Sequence, residues 1–223
     1  MTRGHSLRAL AVRAGAALLA PLAAPGCFTY SSYQSARIVE RGDEQATIAF
    51  SRSGVAGASD ASWYAVEGGG RFGLANRVDG AIMLSVLQNV PEDWGVAVVT
   101  VDVRGGIVED RLACALPVSI TMGDLYLASL RAQPGLIATI PLGERIEIDG
   151  GVRAHISLQA MDFFAVGYNV GLGLTGESRR WTLRPEVGWM QFTGEMSGLT
   201  YVQYGLGIEL NNRKSDAPKE HGS

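Results

Sequence analysis

The sequence predicts an all-β protein that closes into an antiparallel, up-and-down barrel of about ten strands, with eight as the alternative count. Apolar and polar side chains alternate with a two-residue period from about Ala46 to Leu210, and no window keeps a 3.6-residue period for long. Clusters of turn-forming residues leave room for hairpins but not for parallel crossovers. Together these features divide the chain into ten strand segments: 46–54, 61–74, 80–89, 95–104, 110–121, 126–141, 146–159, 164–175, 180–192 and 199–210.

The N-terminal region differs in composition from the predicted barrel. Three arginines precede an Ala/Leu-rich run over 14–24, which is typical of a secretory signal peptide and is too short to cross a bilayer as a helix. A plain signal peptide cut after Ala24 would leave Cys27 unmodified. Ala24-Pro25-Gly26-Cys27, however, resembles the lipobox of bacterial lipoproteins. The resemblance implies that Cys27 is lipidated and anchors the protein on the periplasmic side of the outer membrane.

Four parts of the chain are predicted from these boundaries. They are a signal peptide over 1–26, a lipidated N-terminal linker over 27–45, the barrel over 46–210 and a polar C-terminal tail over 211–223.

Composition narrows the class of protein further. The net charge is −3 and no stretch concentrates basic residues, so nucleic acid is not an expected partner. Cys27 and Cys114 are the only cysteines, which excludes a disulfide scaffold. The only lysines, Lys214 and Lys219, lie in the tail, so the predicted folded surface carries none. A soluble domain without a surface lysine would be unusual.

Each predicted strand has one apolar face and one face that mixes charges with Gly, Ala and Ser. A soluble barrel would turn the apolar face inward around a ligand, whereas a membrane barrel would turn it outward toward lipid. The membrane arrangement is expected because the segment lengths are close to the roughly 9–11 residues that a tilted membrane strand needs. Aromatic residues on the apolar face also fall near segment ends, where interfacial girdles lie: Tyr64, Phe72, Trp181, Trp189 and Tyr204.

The last strand carries a second resemblance. The stretch from Gln203 to Leu210 is similar to the C-terminal insertion signal of bacterial outer-membrane barrels, with a polar residue, a glycine two positions later and then alternating hydrophobic positions. The whole of 46–210 is broadly similar in pattern to small outer-membrane β-barrel proteins. The resemblance implies outer-membrane lipid and the barrel assembly machinery as partners; the sequence does not indicate an oligomeric state.

Short connections are predicted at 76–79, 105–106, 143–145 and 176–178, all at one end of the barrel, where an even strand count also places both termini. Pro117 and Pro185 fall inside segments, where each should remove a ladder hydrogen bond, so bulges are expected there. Alternation also breaks after Trp189, which predicts a third bulge.

The polar face predicts a closed lumen. A barrel of about ten strands encloses little more than its own side chains, and buried ions are costly unless they are paired. Acids and bases are equal in number on this face, so an ion-pair network is expected to plug the barrel: Glu67, Arg71, Asp102, Arg104, Arg111, Arg131, Glu147, Asp149, Arg153, Arg184, Glu186 and Glu209.

Signals for catalysis are few. His155-Ile156-Ser157 resembles part of the His-x-Ser motif of outer-membrane lipid A deacylases, which makes His155 and Ser157 weak catalytic candidates, although both should face the lumen rather than lipid. No cofactor and no metal site are expected, because His155 is the one histidine within the barrel. The leading hypothesis is a non-enzymatic outer-membrane barrel lipoprotein with a structural, interaction or narrow-conductance role. The alternatives are a periplasmic lipoprotein whose soluble barrel binds an apolar ligand, and a lipid A-modifying barrel enzyme.

Overall fold

A computed structural model describes residues 33–57, 62–89, 94–123, 126–158, 164–193 and 197–212. None of the described residues belongs to a helix long and apolar enough to cross a membrane. The described chain forms twelve strand segments: β1 (Glu44–Val55), β2 (Ser62–Ala75), β3 (Val78–Asn89), β4 (Trp94–Val108), β5 (Leu112–Ala115), β6 (Val118–Gly123), β7 (Tyr126–Ala132), β8 (Gly135–Pro141), β9 (Ile146–Ser157), β10 (Phe164–Thr175), β11 (Trp181–Phe192) and β12 (Thr200–Asn212).

These segments close into one antiparallel barrel. Strand β1 pairs with both β2 and β12, so that Ile48 lies opposite Gly68 on one side and Ile208 on the other. Both β5 and β6 pair with consecutive stretches of β4, and both β7 and β8 pair with β9. Each of these two pairs therefore makes up a single barrel strand. The prediction of a closed all-β barrel with ten strands is confirmed.

Proline causes the interruption within the fifth barrel strand. Leu116 and Pro117 separate β5 from β6, and the Leu116 N–H still donates to the Val103 carbonyl oxygen at 2.9 Å. Pro117 has no N–H to donate, so the ladder breaks at this residue. Pairing with β4 resumes in the same register at Val118, so the bulge predicted at Pro117 is absent.

The bulges predicted in β11 are absent from the described pairing. Pro185 stays in register opposite Leu206 of β12. On the other side it has no partner in β10, but the same number of residues separates the flanking pairs on both strands, so there is no bulge. Alternation continues through Trp189, because Met190 and Phe192 point inward and are buried. The sequence-based prediction was wrong because it assumed that inward positions would be polar.

The position of one predicted turn and the length of another also differ in the structure. The connection between β2 and β3 is shorter than the predicted 76–79: it lies at Asn76 and Arg77, with Arg77 in the left-handed region at a φ of 62°, and Val78 and Asp79 belong to β3. Gly105 and Gly106 do not form a turn, since both pair within β4 and the chain reverses after Val108. A Cβ on Gly106 would lie 3.1 Å from the side chain of Ile38, so this glycine permits a close approach inside the barrel.

Two ends of the barrel can be distinguished by these connections. The end that carries the β2–β3 turn also carries the first residue of β1, Glu44, and the last residue of β12, Asn212, which lie opposite each other. We call this the turn end and the opposite end the loop end.

The apolar face lies outside and the ionic face inside. Along β9, Val152 and Ile156 are exposed, whereas Asp149, Arg153 and His155 are buried. Exposed large hydrophobic residues occur all around the barrel, from Ile48 on β1 to Ile208 on β12. This is the reverse of a soluble barrel with an apolar interior, so the structure contradicts that alternative.

Candidate functional site in the barrel lumen

The structure places eleven of the twelve predicted network residues inside the barrel. All eleven are buried: Glu67, Arg71, Asp102, Arg104, Arg131, Glu147, Asp149, Arg153, Arg184, Glu186 and Glu209. Arg111 is the exception and is exposed. It follows β4 in the turn that begins after Val108, and the prediction was wrong because it placed this turn too early, at 105–106.

One group of these side chains is the Asp79 cluster, which consists of Arg71, Asp79, Asp102 and Arg104 from β2, β3 and β4. Arg71 contacts Asp79 at 2.5 Å and Asp102 at 2.6 Å. Arg104 contacts both Asp79 oxygens, at 2.7 Å and 3.0 Å. Asp79 was not among the predicted network residues, because its position in 76–79 favoured a turn. Asp79 shares inward parity with Ala81 and Ser85 in β3, which was the available signal.

A second group is the Arg184 cluster, which consists of Glu147, Asp149, Arg184 and Glu209 from β9, β11 and β12. The Arg184 guanidinium lies 2.6 Å from Glu147, 2.6 Å from Glu209 and against Asp149. The Thr139 hydroxyl donates to the second Asp149 oxygen at 2.6 Å. Here the guanidinium is shared among three carboxylates, so the cluster is richer in negative charge than the Asp79 cluster.

Residues 33–43 precede β1 and run from inside the barrel, where residues 33–36 are buried, to its turn-end mouth, where residues 40–42 are exposed; we call them the lumenal segment. The main chain of residues 33–39 is held by wall side chains, whereas residues 41–43 pair with the backbone of Gly73 in β2. The Tyr33 N–H donates to the Glu186 carboxylate at 3.0 Å, and the Ala36 N–H donates to the Thr139 hydroxyl at 2.7 Å. A third, from Val39, donates to Asp79 at 2.9 Å.

The lumenal segment also contacts both ionic clusters. Arg104 donates to the carbonyl oxygens of Ser35 at 2.6 Å and Arg37 at 3.0 Å. The Arg37 guanidinium lies 2.8 Å from Glu147. The carbonyls of the segment therefore use donors of the Asp79 cluster, and its cation adds positive charge beside the Arg184 cluster.

The wall is built from small residues where it faces the lumenal segment. A Cβ on Gly207 would lie 2.7 Å from the Tyr33 Cβ, and one on Gly205 would lie 2.7 Å from the Tyr33 Cζ. Ala36 is fully buried in a cluster with Ala113, Ala115 and Ile137. At the turn end, a Cβ on Gly73 would overlap the Glu40 carbonyl. A larger side chain at either Gly207 or Gly73 would collide with the segment.

The loop-end half of the lumen is more apolar. Leu87, Val96 and Val98 form one buried cluster with Ala65, and Trp63 packs against it. Met190, Phe192 and Ala165 form another, and Tyr201 packs against that one. Neither cluster was predicted, because the inward face of each strand was expected to be polar.

Three cavities border the lumenal segment. One at the turn end has a volume of about 250 Å³, and its lining includes Glu40, Asp43 and Glu209. Another at the turn end, of about 510 Å³, is lined by residues 38–41 together with the β2–β3 turn and the turn that follows β4. A third, of about 40 Å³, lies between Gln34, Asp102 and Arg153. Within the described ranges, no group of three or more His, Cys, Asp and Glu side chains is arranged to hold a metal ion.

The weak catalytic candidates lie on the inner face of β9. His155 is 0% exposed and Ser157 is 9% exposed, and both point into the lumen. A lipid substrate approaching from the outer face would meet neither side chain, so this placement does not support the deacylase hypothesis. Cys27 and the tail beyond Asn212 lie outside the described residues.

Comparison with known proteins gives a likeness in fold. No protein-family model matches the chain, and no curated protein matches it. One similar solved structure is the outer membrane protease OmpT from Escherichia coli, at 10% identity and a TM-score of 0.45, covering 77% of this chain and 97% of that one. The KdgM porin in complex with disordered oligogalacturonate is 9% identical with a TM-score of 0.44, covering 75% and 99%. The translocator domain of the autotransporter NalP from Neisseria meningitidis is 9% identical with a TM-score of 0.42, covering 92% and 97%.

Proposed function

We propose that this protein is a non-enzymatic barrel of the bacterial outer membrane whose lumen is closed by its ion-pair network and its lumenal segment. The role that fits such a barrel is structural, an interaction role within the envelope, or a very narrow conductance. One observation carries the proposal: the same strands present hydrocarbon outward and paired charges inward.

The outer surface supports the membrane location. Strands β9, β10 and β11 each have 12 residues, enough for a tilted strand to cross the hydrocarbon layer. Trp181 and Phe72 lie toward the turn end of the outer face, and Tyr64, Trp189 and Tyr204 lie toward the loop end. Two belts of aromatic side chains suit the two interfaces of a bilayer.

The inner surface supports closure. Open pores need roughly 16 strands or more, whereas this barrel has ten and also encloses the buried residues 33–36. Arg104, Asp79 and Ala36 are at most 1% exposed, so little open space surrounds the middle of the segment. Such a lumen leaves no wide aqueous path along the barrel axis.

Lipidation of Cys27 and assembly through the stretch from Gln203 to Leu210 complete the proposal. Metabolic labelling with a radioactive fatty acid tests the anchor. We expect label in the wild-type mature protein and none in Cys27→Ala. Label in both proteins, or in neither, would contradict lipidation of this cysteine.

A matched pair of substitutions tests the membrane location. Leu84, in the centre of β3, is 50% exposed on the outer face, and Leu142, just beyond β8 at the turn end, is 60% exposed. An arginine at the bilayer midplane costs about 2–4 kcal/mol and close to nothing near an interface. We expect Leu84→Arg to destabilise the protein by this amount in lipid vesicles and Leu142→Arg to leave it nearly unchanged, as measured by urea unfolding. Equal effects would contradict the membrane assignment.

Planar bilayer recordings test closure. We expect the full-length protein to insert and to show a small or unresolved conductance. A large, steady conductance in the wild-type protein would overturn the proposal of a closed lumen, whatever the location of the protein.

A further inference from the structure

Residues 33–39 of the lumenal segment lie against the barrel wall but are not part of its sheet. In a closed barrel, neighbouring strands already satisfy the backbone hydrogen bonds of each strand, so residues 33–39 use wall side chains instead. Donors and acceptors come from Glu186, Thr139, Asp79 and Arg104, on four different strands. Removal of this part of the segment would leave the barrel ladder intact.

The wall groups also keep partners of their own. Asp79 is held by Arg71 and Arg104, and Asp149 by Thr139. Glu147 remains paired with Arg184 when Arg37 is taken away. These side chains are therefore positioned by the wall before the segment binds, and a preorganised site loses less entropy on binding.

The wall contacts the main chain of the segment and the side chains of Tyr33 and Ala36. Hydrogen bonds from Arg104 and to Glu186, Thr139 and Asp79 recognise backbone groups, which any peptide offers. Selectivity comes from shape, because Tyr33 lies against Gly205 and Gly207, and Ala36 fills a space bounded by alanines. The wall thus selects an aromatic residue followed three positions later by a small one.

We infer that the lumen wall is a binding site for a peptide and that residues 33–43 are its resident, exchangeable ligand. This inference rests on the proposed closure of the barrel and names what closes it. It differs from a fixed plug because it requires that a separate peptide can occupy the site when the tethered segment is displaced.

The displacement can be made in the full-length chain. Ala36→Arg cannot fit beside Ala113 and Ala115, so we expect the tethered segment to leave while the wall stays unaltered. Ser178→Arg is the control, because it adds the same side chain at an exposed position of the turn between β10 and β11, outside the segment. We expect the bilayer conductance to rise for Ala36→Arg and to stay at the wild-type level for Ser178→Arg.

Peptide binding then tests the inference. The probe is an acetylated peptide with the sequence of residues 33–43, carrying fluorescein at its C-terminal end, which corresponds to the turn-end mouth. We expect it to bind the Ala36→Arg protein, to close the raised conductance, and not to bind the wild-type protein, whose site is occupied. The same peptide carrying Ala36→Arg should not bind.

A wall substitution tests the position of the peptide. In the Ala36→Arg protein, Gly207→Ala should weaken binding about tenfold or more, because its Cβ would collide with Tyr33. A peptide with Tyr33→Gly should bind this double variant better than the wild-type peptide does. Gly150→Ala, whose Cβ would lie 3.4 Å from the Asn169 carbonyl oxygen and away from the segment, should change nothing.

The outcomes separate the two proposals. An open wild-type barrel overturns closure. A closed wild-type barrel whose Ala36→Arg form binds no peptide overturns the exchangeable site, as would equal affinity for the Gly207→Ala and Gly150→Ala proteins. If Ala36→Arg fails to fold, the single variant Gly207→Ala displaces Tyr33 from the wall side. Preference of that protein for the Tyr33→Gly peptide supports the site, and lack of preference overturns it.

Discussion

The Asp79 cluster and the Arg184 cluster bury the same kinds of charge in different proportions. In the first, two arginines are bound to two aspartates, so the positive and negative charges balance within the wall. In the second, the Arg184 guanidinium contacts three carboxylates. The charges of the first cluster balance without a further residue. The second cluster has an excess of negative charge, and Arg37 of the lumenal segment contacts its Glu147.

The difference shows how one short segment suits both regions. Near the balanced cluster it offers carbonyl oxygens, which accept hydrogen bonds from Arg104 without adding charge. Near the acid-rich cluster it offers a guanidinium to Glu147. Since a buried charge is costly when it loses its partner, removal of a cation should cost more where carboxylates outnumber cations.

The largest effect is expected for Arg184→Met, which removes the guanidinium from the buried carboxylates of Asp149 and Glu209 and leaves Glu147 with only the half-exposed Arg37. Removal of one partner from a buried ion pair costs about 3–5 kcal/mol, and we expect a loss in this range or failure to refold. Urea unfolding in lipid vesicles measures it. Arg145→Met, which breaks an exposed pair with Glu177 at the turn end, is the control. Similar results for both variants would contradict the burial argument.

A smaller loss is expected for Arg104→Met. Asp79 keeps Arg71 as a partner, so no carboxylate is left alone, but hydrogen bonds to Ser35 and Arg37 disappear. Bonds made by charged groups contribute about 1.5–3 kcal/mol, and we expect a loss of that size in the same unfolding assay. We also expect a higher bilayer conductance, because the segment loses one of its main anchors. A loss greater than that of Arg184→Met would reverse the ranking of the two clusters.

Alternation made the strands and most of the lumen predictable. The two-residue period assigned Glu147, Asp149 and Arg153 to the inner face correctly, because neighbouring side chains in a strand must point to opposite faces. The pairing of particular ions was not predictable, since it depends on strand register. Asp79 was missed because the start of a strand and the end of a turn attract the same residue types.

The lumenal segment was beyond sequence analysis for a different reason. Its hydrogen bonds join residues far apart along the chain, such as Tyr33 and Glu186, which are separated by 153 positions. The segment lies between the predicted signal peptide and the first predicted strand, and it was interpreted as a linker. No local pattern shows that a wall with glycine at 205 and 207 is shaped to receive it.

A modest effect is expected for Arg37→Met, which removes the cation that the lumenal segment places beside the Arg184 cluster. The Arg37 side chain is 43% exposed, so solvent weakens its attraction to Glu147. We expect a loss of about 1 kcal/mol or less in the unfolding assay, and Arg37→Lys should recover most of it. A loss as large as that of Arg184→Met would mean that the wall cannot hold its carboxylates without the segment.

The smallest effect is expected at the turn end, where Arg179 contacts Glu144 at 3.1 Å and both side chains are largely exposed. The separation is only slightly longer than those of the buried pairs, yet water and salt screen the charges, and ordering two long side chains costs entropy. A double-mutant cycle with Arg179→Met and Glu144→Gln should therefore give no measurable coupling in unfolding, and the bilayer conductance should not change. A clear coupling here would show that ion-pair geometry, rather than burial in the lumen, determines how strongly each pair stabilises the barrel.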